Sequence, residues 1–121
     1  MKNNSFTVAV LGAGNIGSAV IERLLEVDNE VLNLSLSKVL VSDLSKERDI
    51  DGGLLTTDFD EILNDENIDL VIEVLGGVEP GKGYIKDLLE SGKSVITANK
   101  DIVADCGSEL IQTAQENNVC L

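Results

Sequence analysis

Residues 11–20 read LGAGNIGSAV, with glycine at positions 12, 14 and 17. The run before them, FTVAVL (6–11), is apolar and rich in β-branched residues, which predicts a buried strand. The residues after them carry apolar side chains at helical spacing, so a helix should begin within the glycine stretch. The stretch therefore predicts a strand, a tight turn and a helix in direct succession, which is the opening unit of an α/β fold.

The rest of the chain repeats this alternation of strands and helices. Further strands are predicted at 38–43, 68–77, 94–98 and 119–121, and further helices at 57–66, 79–93 and 107–118. Such an order predicts one domain over residues 1–121, built as a doubly wound and mostly parallel sheet with right-handed crossovers.

Particular residues are predicted to bound and orient these helices. Thr57 is the expected N-cap of the helix at 57–66, and Gly92 is expected to end the helix at 79–93. The inward side chains of the helix at 79–93 should be Ile85, Leu88 and Leu89. In the helix after the glycines, one apolar face is predicted from Ile16, Ala19, Val20, Leu24 and Val27.

The charge of the chain limits its partners. It has 22 acidic and 9 basic residues and a net charge of −13. Such a field repels nucleic acid and anionic membrane surfaces, so we expect neither as a partner. The apolar runs are too short to cross a bilayer, and the start MKNNSFTVAVL (1–11) does not resemble a signal peptide. A cytoplasmic location is therefore the expectation.

The chain has two cysteines and no histidine. Cys106 and Cys120 lack the spacing of metal ligands, and we expect reduced thiols, at least one of them buried, and no bound metal. Without histidine, Ser-His-Asp and Cys-His nucleophile systems are excluded. Any proton transfer falls to Lys, Asp, Glu, Tyr or Cys.

The three glycines fit the fingerprint of Rossmann-like dinucleotide-binding folds because they follow a strand and open a helix. Gly12 would allow the tight turn, Gly14 the approach of a pyrophosphate, and Gly17 the close packing of helix on strand. The helix would then offer free N–H groups to the phosphates. The alternative is a glycine-rich turn without a ligand. The predicted cofactor contacts here are Gly12, Ala13, Gly14, Asn15, Ile16 and Gly17.

A second part of the fingerprint is an acidic residue at the end of the second strand, which binds the adenosine ribose. Asp43 holds that position in the predicted strand 38–43, although it could also be an ordinary turn residue. Lys46 and Arg48 follow closely and could instead attract a 2′-phosphate. The balance of these residues favours NAD over NADP as cofactor without deciding between them.

The carboxyl ends of the later strands should face the same crevice. Gly76 and the sequence TANK (97–100) lie there, and Lys100 is the cation among them. Because a helix dipole disfavours lysine at its N-terminus, Lys100 suggests a ligand nearby, the alternative being a solvated side chain. Glu73 is either a polar contact on the nicotinamide side or a strand-end residue, and the sequence leaves both open.

Four segments together resemble the cofactor-binding domain of homoserine dehydrogenase. They are VAVLGAGNIGSAV (8–20), VLVSDLSKERDI (39–50), VIEVLGG (71–77) and GKSVITANKDIVADCGSEL (92–110). The resemblance implies NAD(P)-dependent interconversion of L-homoserine and L-aspartate 4-semialdehyde, in the branch leading to threonine and methionine, by a homo-oligomeric enzyme.

The same resemblance implies roles for individual residues. It implies that Lys100 contacts the nicotinamide end and assists catalysis. The other implied cofactor contacts are Gly12, Gly14, Gly17, Gly76 and Thr97. Many members of the family carry arginine at the position of Ser42, where it helps to hold the 2′-phosphate of NADP, so Ser42 again favours NAD.

Two further expectations concern what the chain belongs to. The substrate-binding half of the family is expected to follow residue 121, so the chain should be the amino-terminal part of the enzyme and inactive alone. The alternatives are a nucleotide-sensing regulatory module and another amino-acid dehydrogenase, such as aspartate dehydrogenase. The TANK motif (97–100) favours homoserine dehydrogenase, because a sensor has no need of a lysine beside the nicotinamide.

Overall fold

The computed structural model describes residues 5–26, 33–46 and 48–121 of the chain. The elements in order are β1 (Ser5–Leu11), α1 (Asn15–Glu26), β2 (Asn33–Leu40), a 3₁₀ turn (Gly52–Leu54), β3 (Leu55–Thr56), α2 (Asp60–Leu63), β4 (Leu70–Glu73), α3 (Gly81–Glu90), β5 (Ser94–Thr97) and α4 (Lys100–Glu116). These strands form one parallel sheet in the order β3-β2-β1-β4-β5. The predicted α/β fold is confirmed. Since the chain moves outward from β1 to β3 and then returns to β4, a crevice opens at the carboxyl end of β1.

Helices cover both faces of the sheet, as the alternation of side chains along β1 requires. Ala9 and Leu11 pack in one core cluster with side chains of α2, α3 and α4. Val10 points to the other face and packs with Ile21 of α1 and Val39 of β2. The two clusters hold the central strand, and therefore the loop that follows it, between two apolar layers.

The predicted apolar face of α1 is wrong in its details. Ile16 is 60% exposed and Ala19 is also exposed, whereas the buried residues of the helix are Gly17 and Ile21. Val20 and Leu24 are half-buried, and Val27 lies outside the described residues. The face toward the sheet passes through a glycine, which has no side chain to contribute to an apolar pattern. The periodicity therefore selected a neighbouring face.

Two strand predictions also need correction. β2 runs from Asn33 to Leu40 rather than over 38–43, so Asp43 lies in the loop beyond the strand. The predicted strand at 119–121 is wrong: these described residues form no strand, although the Val95 N–H donates to the Cys120 carbonyl (3.0 Å). The fifth strand is instead β3, whose two residues are too few to show a periodic pattern.

The predicted cap of α2 is wrong as well. The helix begins at Asp60. Within the described residues, the side chain of its N-cap residue, Phe59, makes no capping hydrogen bond. The Asp58 carboxylate accepts the Asp60 N–H (3.0 Å) and shapes the entry to the helix. Thr57 is left exposed at the surface.

α3 confirms its predicted end and inward face, while α4 begins earlier than predicted. Gly92 follows α3 with φ +92°. The helix side chains Ile85, Leu88 and Leu89 are fully buried. α4 starts at Lys100 rather than at 107, and its backbone departs from helical angles at Cys106 (φ −149°, ψ 22°). The kink lies directly before residue 107, where the apolar periodicity of the sequence had predicted the start of a helix.

Both cysteines are free thiols, as expected, with Cys106 buried and Cys120 exposed. Burial raises the pKa of the Cys106 thiol. Among the helices of the described ranges, none has the length and apolar character needed to cross a membrane.

Candidate functional site

The loop after β1 makes a tight turn that is joined to both neighbouring strands. Gly12 has φ +106°, a backbone conformation that favours glycine. Its N–H donates to the Leu40 carbonyl at the end of β2 (2.9 Å), and the Val74 N–H donates to the Leu11 carbonyl (3.0 Å). A Cβ atom on Gly12 would lie 3.2 Å from the Val74 carbonyl oxygen. The turn is therefore held between the carboxyl ends of β2 and β4.

The other two glycines of the motif have opposite surroundings. A Cβ atom on Gly17 would lie 2.8 Å from the carbonyl carbon of Gly12, so the start of α1 packs directly on the turn. A Cβ atom on Gly14 would meet no described atom within 4 Å. Gly17 is needed for packing, whereas the bare backbone at Gly14 faces open space that a ligand can enter.

The amino end of α1 points toward this open space. Its first turn consists of Asn15, Ile16, Gly17 and Ser18, which carry no charge. The N–H groups of a first helical turn have no acceptor within the helix, and they carry the positive end of the helix dipole. The Ser18 hydroxyl donates to the Ala13 carbonyl (2.9 Å) and fixes the loop against the helix. This arrangement suits a phosphate group.

A cleft of about 480 Å³ opens beside the turn, within the size range of small-molecule sites. Its walls come from the ends of β1, β2 and β4 and from the start of α3. The lining residues are Gly12, Ala13, Gly14, Leu40, Val41, Ser42, Lys46, Arg48, Thr57, Val74, Leu75, Gly76, Pro80 and Tyr84. Four residues predicted as cofactor contacts, Gly12, Ala13, Gly14 and Gly76, thus share one cavity.

The loop after β2 brings positive rather than negative charge to the cleft. Lys46 and Arg48 line it, and they also line a smaller cavity beside Gly14 and Asn15. Asp43 is exposed and is not among the lining residues of either cavity.

The Asp43 carboxylate is turned toward its own loop. It accepts the backbone N–H (2.8 Å) and the hydroxyl (2.6 Å) of Ser45. These hydrogen bonds hold the pKa of the Asp43 carboxyl below its usual value, so the group is ionised at neutral pH. The Arg48 guanidinium donates to the Asp43 carbonyl (2.7 Å).

The structure answers the question that the sequence left open about Glu73. The side chain is fully buried at the end of β4. Its carboxylate accepts the Thr97 hydroxyl and the Leu75 N–H (2.9 Å). Glu73 is therefore a polar group of the interior that is bonded to the end of β5 and is not among the residues lining the cleft.

Lys100 and Thr97 lie at the carboxyl end of β5. Lys100 is exposed and is the first residue of α4, which begins seven residues before the predicted start at 107. Thr97 is half-buried, and its hydroxyl both donates to Glu73 and accepts the Asn99 N–H (3.1 Å). Neither residue lines the 480 Å³ cleft.

Sequence reasoning missed the role of Asn99, which is only 7% exposed. Its Oδ1 accepts the N–H groups of Asp101 (3.1 Å) and Ile102 (3.2 Å), so it is the N-cap of α4. Its Nδ2 donates to the carbonyls of Leu75 (3.0 Å) and Gly77 (2.6 Å). An asparagine directly before a predicted helix is a capping signal, but the late predicted start of α4 concealed it.

Comparison with known proteins identifies the family. The family model described as "Homoserine dehydrogenase, NAD binding domain" matches residues 12–121, which is most of the chain. The chain belongs to this family of NAD-binding domains. The match includes the glycine turn, the cleft and the start of α4, and it favours homoserine dehydrogenase over the sensor and aspartate dehydrogenase alternatives.

Individual relatives of this homoserine dehydrogenase domain agree in sequence and in fold. The homoserine dehydrogenase of Bacillus subtilis is 42% identical over 117 residues, covering 91% of this chain and 27% of the relative. A crystal structure of the Staphylococcus aureus enzyme superposes with a TM-score of 0.89 at 36% identity, covering 99% of this chain and 32% of that one. The enzyme of Thiobacillus denitrificans gives a TM-score of 0.87 at 32% identity, covering 95% of this chain and 28% of that one. The chain thus spans about a quarter to a third of the relatives that it matches.

Proposed function

We propose that this chain supplies the dinucleotide-binding part of an enzyme that interconverts L-homoserine and L-aspartate 4-semialdehyde. The assignment of residues 12–121 to the NAD-binding domain family supports the proposal. The observation that carries it is the open backbone of Gly14 at the amino end of α1. A side chain there would fill the space that a pyrophosphate needs, and the turn of Gly12 directs that space into the cleft.

The described residues fit a nicotinamide dinucleotide lying across the switch point of the sheet. The pyrophosphate would be held by N–H groups of the turn and of Asn15 and Ile16. The adenosine half would extend toward Lys46 and Arg48, and the nicotinamide half toward Gly76 and the end of β5. When bound, the dinucleotide supplies the hydride chemistry of the reaction.

The choice between NAD and NADP depends on the loop after β2. The sequence favoured NAD because of Asp43 and Ser42, but Asp43 lies outside the cleft and is hydrogen-bonded to Ser45. Lys46 and Arg48 line the cleft and can neutralise a 2′-phosphate. We therefore propose that the chain accepts both dinucleotides, with the affinity for NADP dependent on these two cations.

Lys100 is the residue that we propose for the reaction itself. Oxidation of an alcohol requires that its hydroxyl proton leave as the hydride is transferred, so a polar group must be aligned with the substrate oxygen. Lys100 lies at the end of β5, beside the half of the crevice assigned to the nicotinamide. Its ammonium group is exposed in this chain, so the substrate-binding part of the enzyme would have to cover it.

The substrate assignment is tested in the enzyme that carries this domain. We expect homoserine-dependent reduction of NAD or NADP and the reverse reaction with aspartate 4-semialdehyde, with no reaction of aspartate. Turnover of aspartate without turnover of homoserine would contradict the proposal. The cytoplasmic location and the homo-oligomeric state stay predictions from the sequence.

A further inference from the structure

The carboxylate of Glu73 lies where two strands and a helix meet. It accepts hydrogen bonds from Thr97 at the end of β5 and from the Leu75 N–H in the loop after β4. A Cβ atom on Gly81 would lie 3.1 Å from its Oε2, so the first residue of α3 packs directly on the carboxylate. Glu73 therefore fixes the loop that leaves β4 relative to β5 and α3.

Asn99 joins the same loop to this carboxylate. Its Nδ2 lies 2.6 Å from the Gly77 carbonyl, 3.0 Å from the Leu75 carbonyl and 3.4 Å from Oε2 of Glu73. An amide nitrogen has two hydrogens, so these three acceptors share them. The loop 75–77 includes Gly77 with φ +71°, a backbone conformation that favours glycine.

The other end of the same amide holds α4. Because Oδ1 of Asn99 caps the first turn of the helix, the direction in which α4 starts depends on the position of this side chain. Lys100 is the next residue and the first of the helix. One side chain thus connects the loop 75–77, which borders the cleft through Leu75 and Gly76, with the lysine at the end of β5.

We propose that Asn99, held in place by Glu73, is a positioning residue for the nicotinamide half of the dinucleotide. It acts on dinucleotide affinity through the loop 75–77, which borders the cleft, rather than by contact, since it is almost entirely buried. The inference rests on the proposed function, because it requires that a dinucleotide lie across this end of the sheet. The adenosine half would lie on the other side of β1 and should not depend on Asn99.

The decisive variant is Asn99→Ser, measured in the present chain by calorimetric titration. Serine keeps an oxygen that can cap α4 but is too short to bridge to Leu75 and Gly77. The matched control is Asn117→Ser at the opposite end of α4, where Nδ2 donates to the Thr113 carbonyl (2.8 Å). Each variant is titrated with NADH and with ADP-ribose, which lacks the nicotinamide.

We expect Asn99→Ser to weaken NADH binding by about tenfold, which is the loss of roughly one hydrogen bond, and to leave ADP-ribose binding within about twofold of the original. Asn117→Ser should change neither affinity. Equal weakening of both ligands by Asn99→Ser, or no weakening, would overturn the inference and leave the proposed function standing. If the unsubstituted chain binds neither ligand, the proposed function fails as well.

A second variant decides the matter if Asn99→Ser does not fold. Glu73→Gln keeps the shape of the side chain. It replaces one of the two carboxylate oxygens that accept hydrogen bonds from Thr97, Leu75 and Asn99. The same selective loss of NADH affinity over ADP-ribose affinity is expected, and loss of both affinities together would contradict the positioning role.

Discussion

Gly17 packs against the carbonyl group of Gly12 so closely that a Cβ atom at position 17 would lie 2.8 Å from the Gly12 carbonyl carbon. The two glycines have different tasks in this contact. Gly12 turns the chain with φ +106°, and Gly17 lets α1 approach that turn. Because backbone atoms cannot move aside as a flexible side chain can, the contact fixes the distance between the helix and β1.

The first prediction concerns the fold. Gly17→Ala should lower the free energy of unfolding by about 1–3 kcal/mol, because the new methyl group overlaps backbone atoms. Gly83→Ala is the control, since Gly83 is an exposed residue of α3 where alanine is the better helix former. Urea denaturation of the three chains gives the comparison. A Gly17→Ala chain as stable as the original would show that the close approach is not required.

The second prediction concerns cofactor choice. Lys46→Ala should weaken NADPH binding by about tenfold, because one charge-assisted contact to the 2′-phosphate is lost. NADH lacks that phosphate, and its affinity should stay within about twofold. Lys86→Ala removes the same charge from an exposed position on α3 and should affect neither ligand. Fluorescence titration measures each affinity, and an unchanged NADPH affinity in Lys46→Ala would exclude the proposed phosphate contact.

The third prediction concerns Lys100 in the enzyme that carries this domain. Lys100→Ala should lower kcat by about a hundredfold or more, the usual effect of losing a proton-transfer group. The affinity of the isolated chain for NADH should change little, because Lys100 lies outside the cleft. Steady-state kinetics with homoserine provide the measurement. A kcat close to normal in Lys100→Ala would remove the lysine from the mechanism.

The fourth prediction is that the present chain binds a dinucleotide but does not oxidise homoserine. Lys100 is exposed, and the chain spans about a quarter of the length of the curated relatives. Water competes for an exposed ammonium group, so the alignment of a substrate oxygen with the nicotinamide is lost without a cover over the site. Formation of NADH or NADPH is followed at high chain concentration with homoserine present. Homoserine-dependent formation would show that the chain is catalytically sufficient.

Much of the fold could be predicted because several strands and turns carried a local signal of their own. FTVAVL before the glycines gave β1, and Gly92 gave the end of α3, since each needs only neighbouring residues. The buried face of α1 could not be predicted from apolar periodicity, because Gly17 forms part of it without a side chain. β3 was missed because two residues are too few to show the apolar alternation of a strand, and because their pairing with β2 is a long-range contact.

The parts of the site that depend on local sequence were predictable, and those that depend on contacts between distant residues were not. The glycine motif fixed the turn by local backbone requirements, and the structure brings Gly12, Gly14 and Gly76 to one cleft. The position of Asp43 depended on where β2 ends, which is the least certain property of a predicted strand. The bridging role of Asn99 was missed because the carbonyls that accept from its Nδ2 lie more than twenty residues away, at Leu75 and Gly77, and only the folded sheet brings them together.

The most direct test of the account is the affinity of a Gly14→Val chain for NADH and NADPH. A Cβ atom on Gly14 meets no described atom within 4 Å, so the variant should fold with a melting temperature close to that of the original chain. Gly83→Val, on the exposed side of α3, is the matched control. The account predicts that Gly14→Val weakens the binding of both dinucleotides by more than about tenfold, because the valine occupies the pyrophosphate space, while Gly83→Val does not. Unchanged affinity in a folded Gly14→Val chain would contradict it.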